Sequence, residues 1–228
     1  KKPFSDKRVR LAVTHAINKD EVLKGAMFGH GKILGSNVDP LNPYFVDLSK
    51  RVPYDPAKAK KLLAEAGYPN GFDVTFRVAP QYYYTVRSAE IITSQFAKVG
   101  IRAKIEQIEW GTWLSQVFCL APCQNPDYEM SIIGHAEAWD IANFANPKYY
   151  FRWDNADFQK LFAESQVTVD DKKRRELYVA MQQMLADEAP AVWLYMHPRL
   201  VVTKKGVTGL WKDLPLPVLD LSEVSWQK

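Results

Sequence analysis

The sharpest pattern in the chain is a strict alternation at 72–78, Phe-Asp-Val-Thr-Phe-Arg-Val. Phe72, Val74, Phe76 and Val78 share one face, with Asp73, Thr75 and Arg77 on the other. A period of two predicts a strand with one buried side. "IRAKIEQI", from Ile101, alternates again and predicts a second strand. Between them Val86, Ala89, Thr93, Phe96 and Val99 keep helical spacing up to Gly100. Strand, helix, strand predicts a βαβ unit, in which helices cover a sheet. "YEMSIIG", 128–134, is more continuously apolar, as a central buried strand should be.

Helical spacing recurs on both sides of this unit. Val9, Val13, Ala16 and Ile17 predict a helix capped by Ser5 or Asp6, and Lys19-Asp20 starts another. In "YDPAKAKKLLAEAGY" Asp55 is placed to accept from first-turn amides, and Pro56 suits the first helical position. Ala59, Leu62, Leu63 and Ala66 form the apolar stripe, and Gly67 supplies the stop. "EWGTWLSQVF" predicts a short helix or turn. Phe158, Leu161, Phe162 and Ser165 predict one further helix. Leu177, Met181, Met184 and Leu185 predict another, starting after Asp170 or Asp171, and "APAVWLYM" predicts a strand after Pro190. Two stretches have no period. The first, 29–53, carries Pro40, Pro43 and Pro53 and reads as a long ordered loop over the fold. The second begins at Pro198 and is rich in Gly, Pro, Leu and Trp. It is too apolar for a free tail and too irregular for a domain, so it is expected to pack on something else.

Composition narrows the classes. At 228 residues, with 47% hydrophobic and 25% charged, the chain has material for one or two domains with a real core. The net charge of +4 is small. Lys58, Lys60 and Lys61 share a helix with Glu65, and Lys172 to Arg175 follow Asp170 and Asp171, so both groups read as solvated helix faces and no nucleic-acid partner is expected. No apolar run approaches the roughly 20 residues of a membrane span. No signal peptide is visible, and "KKPFSDKRVR" does not read as a natural start. Cys119 and Cys123 flank Pro122 in a loop and are too few for a zinc framework on their own.

The order of "PFSDKRVRLAVTHAINKDEVLKG", "YDPAKAKKLLAEAGYPNGF", "QFAKVGIRAKIEQIEWGTWL", "DYEMSIIGHAEAWD", "DNADFQKLFAES", "DDKKRRELYVAMQQMLADEAPAVWLY" and "GVTGLW" spans nearly the whole chain. It resembles the carboxyl-terminal half of extracytoplasmic solute-binding proteins of the peptide, oligopeptide and nickel ABC importers. The resemblance implies an α/β, periplasmic-binding-protein-like (type II) lobe, with a mixed sheet flanked by helices. Residues 1–195 would form the second lobe of a bilobal receptor. Residues 196–228 would return to complete the first lobe, which makes the sequence a fragment of a longer receptor. It further implies a periplasmic or surface-anchored location, a peptide or other small polar ligand, an ABC permease as membrane partner, no catalysis and no cofactor. In an oxidising compartment Cys119 and Cys123 would be joined. With the first lobe absent, the tail would either pair with a second copy, as a dimer or swapped pair, or be poorly ordered.

Candidate chemistry gathers in "IIGHAEAWD", where His135, Glu137 and Asp140 follow an apolar run. The resemblance implies an acidic residue here that takes a ligand's ammonium group through a charge-assisted hydrogen bond. Asp140 or Glu137 would fill that role, and His135 stands where the family has an aromatic. Asp140 is equally well placed to cap a short helix at "IANF". Trp110 matches a cleft-wall tryptophan in the family or is a core anchor, whereas Trp113 reads as core. Arg152, in "NPKYYFRW", is a candidate partner for a ligand carboxylate or takes part in a surface ion pair. The alternative is a small metal-dependent hydrolase using His135, Glu137 and Asp140. Its His-x-Glu pattern is like that of the zinc deaminases, but the cysteines precede the histidine and their spacing differs. No metal is expected.

Overall fold

The computed structural model describes residues 2–119, 125–135, 140–198, 200–211 and 220–227, with the backbone alone at 140. In chain order its elements begin with α1 (Lys7–Ala16), α2 (Lys19–Met27), β1 (Lys32–Ile33), α3 (Pro56–Glu65), β2 (Phe72–Val78), α4 (Tyr83–Ala97) and β3 (Ile101–Gln107). They continue with α5 (Trp110–Trp113), β4 (Met130–Ser131), α6 (Ala156–Val167), α7 (Asp171–Glu188), β5 (Tyr195–Met196), β6 (Val207–Thr208) and β7 (Ser225–Trp226). A π-helical turn, Leu114–Phe118, continues α5, and a 3-10 helix spans Asp140–Ala145.

The helix starts follow local chemistry. Asp6 accepts from the Arg8 amide at 2.8 Å, Asn18 from Glu21 at 3.2 Å and Asp55 from Lys58 at 2.9 Å. Asn155 accepts from Phe158 at 2.9 Å and Asp170 from Lys173 at 2.7 Å. Each side chain satisfies an amide that has no partner within the helix. Gly67, at φ 91, turns the chain out of α3 through the left-handed region.

The expected βαβ unit is present. Strands β2 and β3 pair in parallel over their whole length, from Phe72 opposite Ile101 to Val78 opposite Gln107. Strand β4 joins the other side of β2 in parallel, through Phe76–Met130 and Arg77–Ser131. The order is therefore β3-β2-β4, and the central described strand is β2. This corrects the expectation for 128–134: among the described residues it forms a two-residue strand at the edge of this sheet, where a central strand was expected. The ladder stops where the Ser131 hydroxyl takes the Arg77 carbonyl at 2.8 Å, and Ile132 leaves the sheet. Antiparallel pairing occurs in two separate ribbons, β1 with β5 and β6 with β7. The strand expected from 189 shortens to β5, whose partner β1 lies inside the loop read as irregular.

The main core lies between the sheet and α1, α3 and α4, and contains Val9, Val13, Leu63, Phe76, Phe96 and Ile101. A second core joins α6 and α7 to the loop and the 3-10 helix through Val38, Ile141, Phe144, Phe158, Met181 and Leu185. The described tail residues join neither core.

Candidate functional site

All three parallel strands point their carboxyl ends at one cleft. After β2 the chain reaches Tyr82 and Tyr84. After β3 it reaches α5, and after β4 it reaches Gly134 and His135. This end of a parallel sheet is where α/β proteins bind ligands, because the connecting segments spread there and leave a crevice. The cleft has a volume of about 1930 Å³, and Ser36, Asn37, Trp193 and His197 close it from the loop and β5 sides.

One side is aromatic and internally tied. Trp113 is only 2% exposed, and its Nε1 donates to Ser131 Oγ at 2.9 Å. Tyr128 Oη donates to the Tyr150 carbonyl at 3.0 Å, and burial pushes the Tyr128 phenol pKa up. His135 lies parallel to Tyr150, with centroids 6.0 Å apart, and its Nε2 shares a hydrogen bond with Tyr150 Oη at 2.8 Å. Phe151 sits 4.3 Å from Tyr150 and stacks on the buried Phe144 at 4.9 Å.

The opposite side is formed by Tyr84 and His197, whose rings lie 4.8 Å apart. Burial lowers the His197 pKa, which favours the neutral imidazole, and pushes Tyr84 up to about 12. Between the two sides runs Gly134. A Cβ on it would stand 2.9 Å from Tyr84 Oη, so a larger residue would require that hydroxyl to shift.

The sequence-derived residues separate on this map. Trp110 is half-buried, stacks on Trp113 at 5.0 Å and meets Tyr82 edge-on at 5.7 Å. It backs Trp113, and Trp113 is the one of the pair that reaches the cleft while also belonging to a core cluster. His135 is exposed at the rim, and so is Arg152, whose backbone is left-handed at φ 51. Asp140 opens the 3-10 helix Asp140–Ala145, the short helix anticipated as the other reason for an aspartate there. Glu137 lies outside the described residues. Cys119 is disulfide-bonded, and Cys123, the only other cysteine of the chain, lies outside the described residues. A disulfide sulfur is not the thiolate a zinc site needs. Among the described residues no group of three or more His, Cys, Asp or Glu could hold a metal ion. Tyr84, Tyr128, Ser131 and His197 are not among the candidate site residues that the sequence offers. The run "QYYYTV" straight after a strand was the one signal available for Tyr84.

Comparison with known proteins adds the family. The model described as bacterial extracellular solute-binding proteins, family 5 Middle, matches residues 1–157. The dipeptide-binding protein of Escherichia coli strain K12 is 32% identical, over 93% of this chain and 42% of that protein. A di/tripeptide-binding protein of Pseudomonas aeruginosa is 30% identical, over 83% of this chain and 37% of that protein. The chain thus spans less than half the length of these relatives. A dipeptide-binding protein from Pseudoalteromonas sp. SM9913, solved in complex with Met-Leu, superposes at a TM-score of 0.81 and 26% identity. That match covers 100% of this chain and 46% of the other. The fold is that of a periplasmic-binding-protein-like (type II) lobe, and the chain belongs to the bacterial extracellular solute-binding proteins, family 5.

Proposed function

We propose that the chain is the second lobe, with a returning segment of the first, of an extracytoplasmic receptor that captures a peptide or peptide-like solute for an ABC permease. One observation carries the reading: in a chain of this family, three parallel strands direct their carboxyl ends at one aromatic cleft. Residues 1–195 form the lobe and 196–228 the returning segment. In support, Leu200, Val202, Trp211 and Trp226 of the described tail are exposed and stand outside both cores. Without the rest of the receptor, the same tail would associate with a second copy. The location in this reading is periplasmic or extracellular and membrane-anchored. Among the described residues no helix is long and apolar enough to cross a membrane.

Binding in this reading makes and breaks no bond. The ligand contacts both lobes in the closed state and only one in the open state, and this difference in contacts drives closure. Asp140, or Glu137, takes the ligand's ammonium group, Arg152 takes its carboxylate, and His135 and Trp110 support the wall. The full-length receptor, purified without added ligand, should carry short peptides detectable by mass spectrometry and bind them in calorimetry. A co-purifying sugar or metal chelate, with no peptide affinity, would refute the peptide assignment. Asp140→Asn should weaken peptide binding by about 1.5–3 kcal/mol, the worth of one charged hydrogen bond, with the melting point of the empty protein nearly unchanged. An unaltered dissociation constant removes Asp140 from the site.

A further inference from the structure

The residue that ends α2 is an outlier in two ways. Phe28 takes the left-handed conformation, at φ 53, and it is 84% exposed. Glycine is the usual residue at such a helix end, and a bulky one is rare there. The stop itself needs only backbone. The Gly29 amide donates to the Leu23 carbonyl at 3.2 Å, and the His30 amide to the Met27 carbonyl at 2.8 Å. The phenyl ring therefore adds strain to the end of α2 and gains almost no burial in this lobe. Strain of that kind points to a use for the side chain.

Phe28 has company. Tyr83, at the start of α4, is 64% exposed, and its Oη donates to Met27 Sδ at 3.8 Å. The Tyr83 ring meets Tyr84 edge-on at 5.8 Å, and Tyr84 pairs with His197 on the cleft wall. Phe28 is tied to the same place through the backbone. Three residues on, Gly31 packs so close to β5 that a Cβ would stand 2.6 Å from the Met196 carbonyl oxygen. Phe28 thus lies within about 11 Å of Gly31, the reach of three residues. The two rings form an apolar lip beside the cleft, where the receptor reading has the chain pass to the other lobe. The exposed Leu200 is only three residues beyond His197, so that lobe begins close to the lip. More than half of each full-length relative lies outside this chain, which covers 42% of one and 46% of another.

We propose that Phe28 and Tyr83 dock against the first lobe when the receptor closes, and so favour the closed state without touching the solute. This rests on the receptor reading above. A contact made only in the closed state shifts the equilibrium between open and closed by its own free energy, and it strengthens the binding of every solute by the same factor. The test is calorimetry on the full-length receptor, stripped of ligand, with Ala-Ala, Ala-Phe and Ala-Glu. Phe28→Gly should weaken the binding of each peptide by about fivefold or more, with factors that agree within about twofold. The melting temperature of the empty variant should not fall, because glycine suits the left-handed backbone and the ring is exposed. Tyr83→Ser should act in the same direction, and it carries the test if Phe28→Gly fails to fold. Factors that differ among the peptides by more than about twofold would put the ring on the solute and overturn the proposal. A lower melting temperature would show that the ring packs on its own lobe, and overturns it too. Unchanged affinity also overturns it: impaired uptake by cells would then assign the lip to the permease, and normal uptake would leave it without a partner. Each of these outcomes leaves the receptor reading standing. A wild-type receptor that binds none of the three peptides overturns the peptide reading and takes this proposal with it.

Discussion

Two stretches of this chain look alike in sequence and end up in opposite states. The loop at 29–53 and the tail after Pro198 both mix proline, glycine and large apolar residues without a period. In the structure the loop is fastened along its length. Its Val38 and Leu48 are buried, and Tyr44 stacks on Tyr178 of α7 at 4.4 Å. Gln182 donates to the Tyr44 carbonyl at 2.7 Å and accepts from the Val46 amide and the Ser36 hydroxyl, both at 3.3 Å. Arg51 forms a two-pronged pair with Asp187 at 2.6 and 2.7 Å, Arg175 donates to the Pro43 carbonyl, and Lys19 donates to the Leu34 carbonyl at 3.1 Å. The tail instead leaves Val202 97% exposed and Leu200 69% exposed. Irregular backbone becomes part of a fold when side chains from regular elements satisfy its polar groups. The loop finds those partners inside the chain, whereas the described tail leaves its largest apolar residues uncovered.

The largest effect should come from cutting the loop's central fastening. Gln182 is fully buried on α7, and its amide serves two loop backbone groups at once. Gln182→Leu keeps the volume but removes the hydrogen-bond partner that the Tyr44 carbonyl, the Val46 amide and the buried Ser36 hydroxyl share. A loss of about 2–4 kcal/mol is expected in urea unfolding, from the loss of these three bonds. Hydrogen exchange over 36–46 should accelerate together with it. Unchanged stability would mean that the loop is held by apolar packing alone, and the contrast with the tail would then lose its polar basis.

Lys19 sharpens the same point through pH. It is buried at the start of α2, and burial alone depresses its pKa to about 8. Its value in the unfolded chain is near 10.4. Between these pH values the unfolded state binds the additional proton, so folding stability rises with pH across that window. Below pH 8 the cost of holding a charged Lys19 is fully present. The stability difference between wild type and Lys19→Met should therefore shift by about 2 kcal/mol in favour of wild type from pH 7.5 to 9.5. Other titrating groups cancel in that difference. A difference that stays flat with pH would show that Lys19 is hydrated in solution, and that the loop is looser at Leu34 than its geometry implies.

Much of this architecture was legible because it rests on local rules. Asp55-Pro56 with Gly67, and the alternation of 72–78, fix an element within a few residues of themselves. The position of "YEMSIIG" was not legible, since apolarity reports burial and not which neighbour a strand takes. The fastening of the loop was hidden for a related reason. Gln182 sits in a helix, where a glutamine reads as surface, and only the packed fold brings Tyr44 and Val46 to it. In the cleft the aromatic cluster at 149–153 could be seen, because its members adjoin in sequence. The pairing of Tyr84 with His197 could not, because it joins the start of α4 to the end of β5. Trp113, read as core from the sequence, is almost wholly buried and only borders the cleft.

The smallest effect is expected in the tail, where the comparison can be broken most directly. Val202 extends almost wholly into solvent. Replacing it with serine removes two methyl groups that are almost fully exposed, so Val202→Ser should change the stability of the 228-residue protein by less than about 0.5 kcal/mol. If the tail of this chain pairs with a second copy, the substitution weakens that pairing, and light scattering should show a shift toward monomer. In the full-length receptor the same valine would lie against the other lobe. Losing its burial and placing a hydroxyl there should cost about 1.5–3 kcal/mol. One substitution measured in two lengths of the protein thus separates a tail that awaits its partner from one that is merely solvent-exposed. An equal, small cost in both would show that 200–202 is surface in the receptor too, and the returning-segment assignment would fail at that point. A cost above about 1 kcal/mol in the 228-residue chain would show that the tail packs on this lobe, and loop and tail would then be held in the same way.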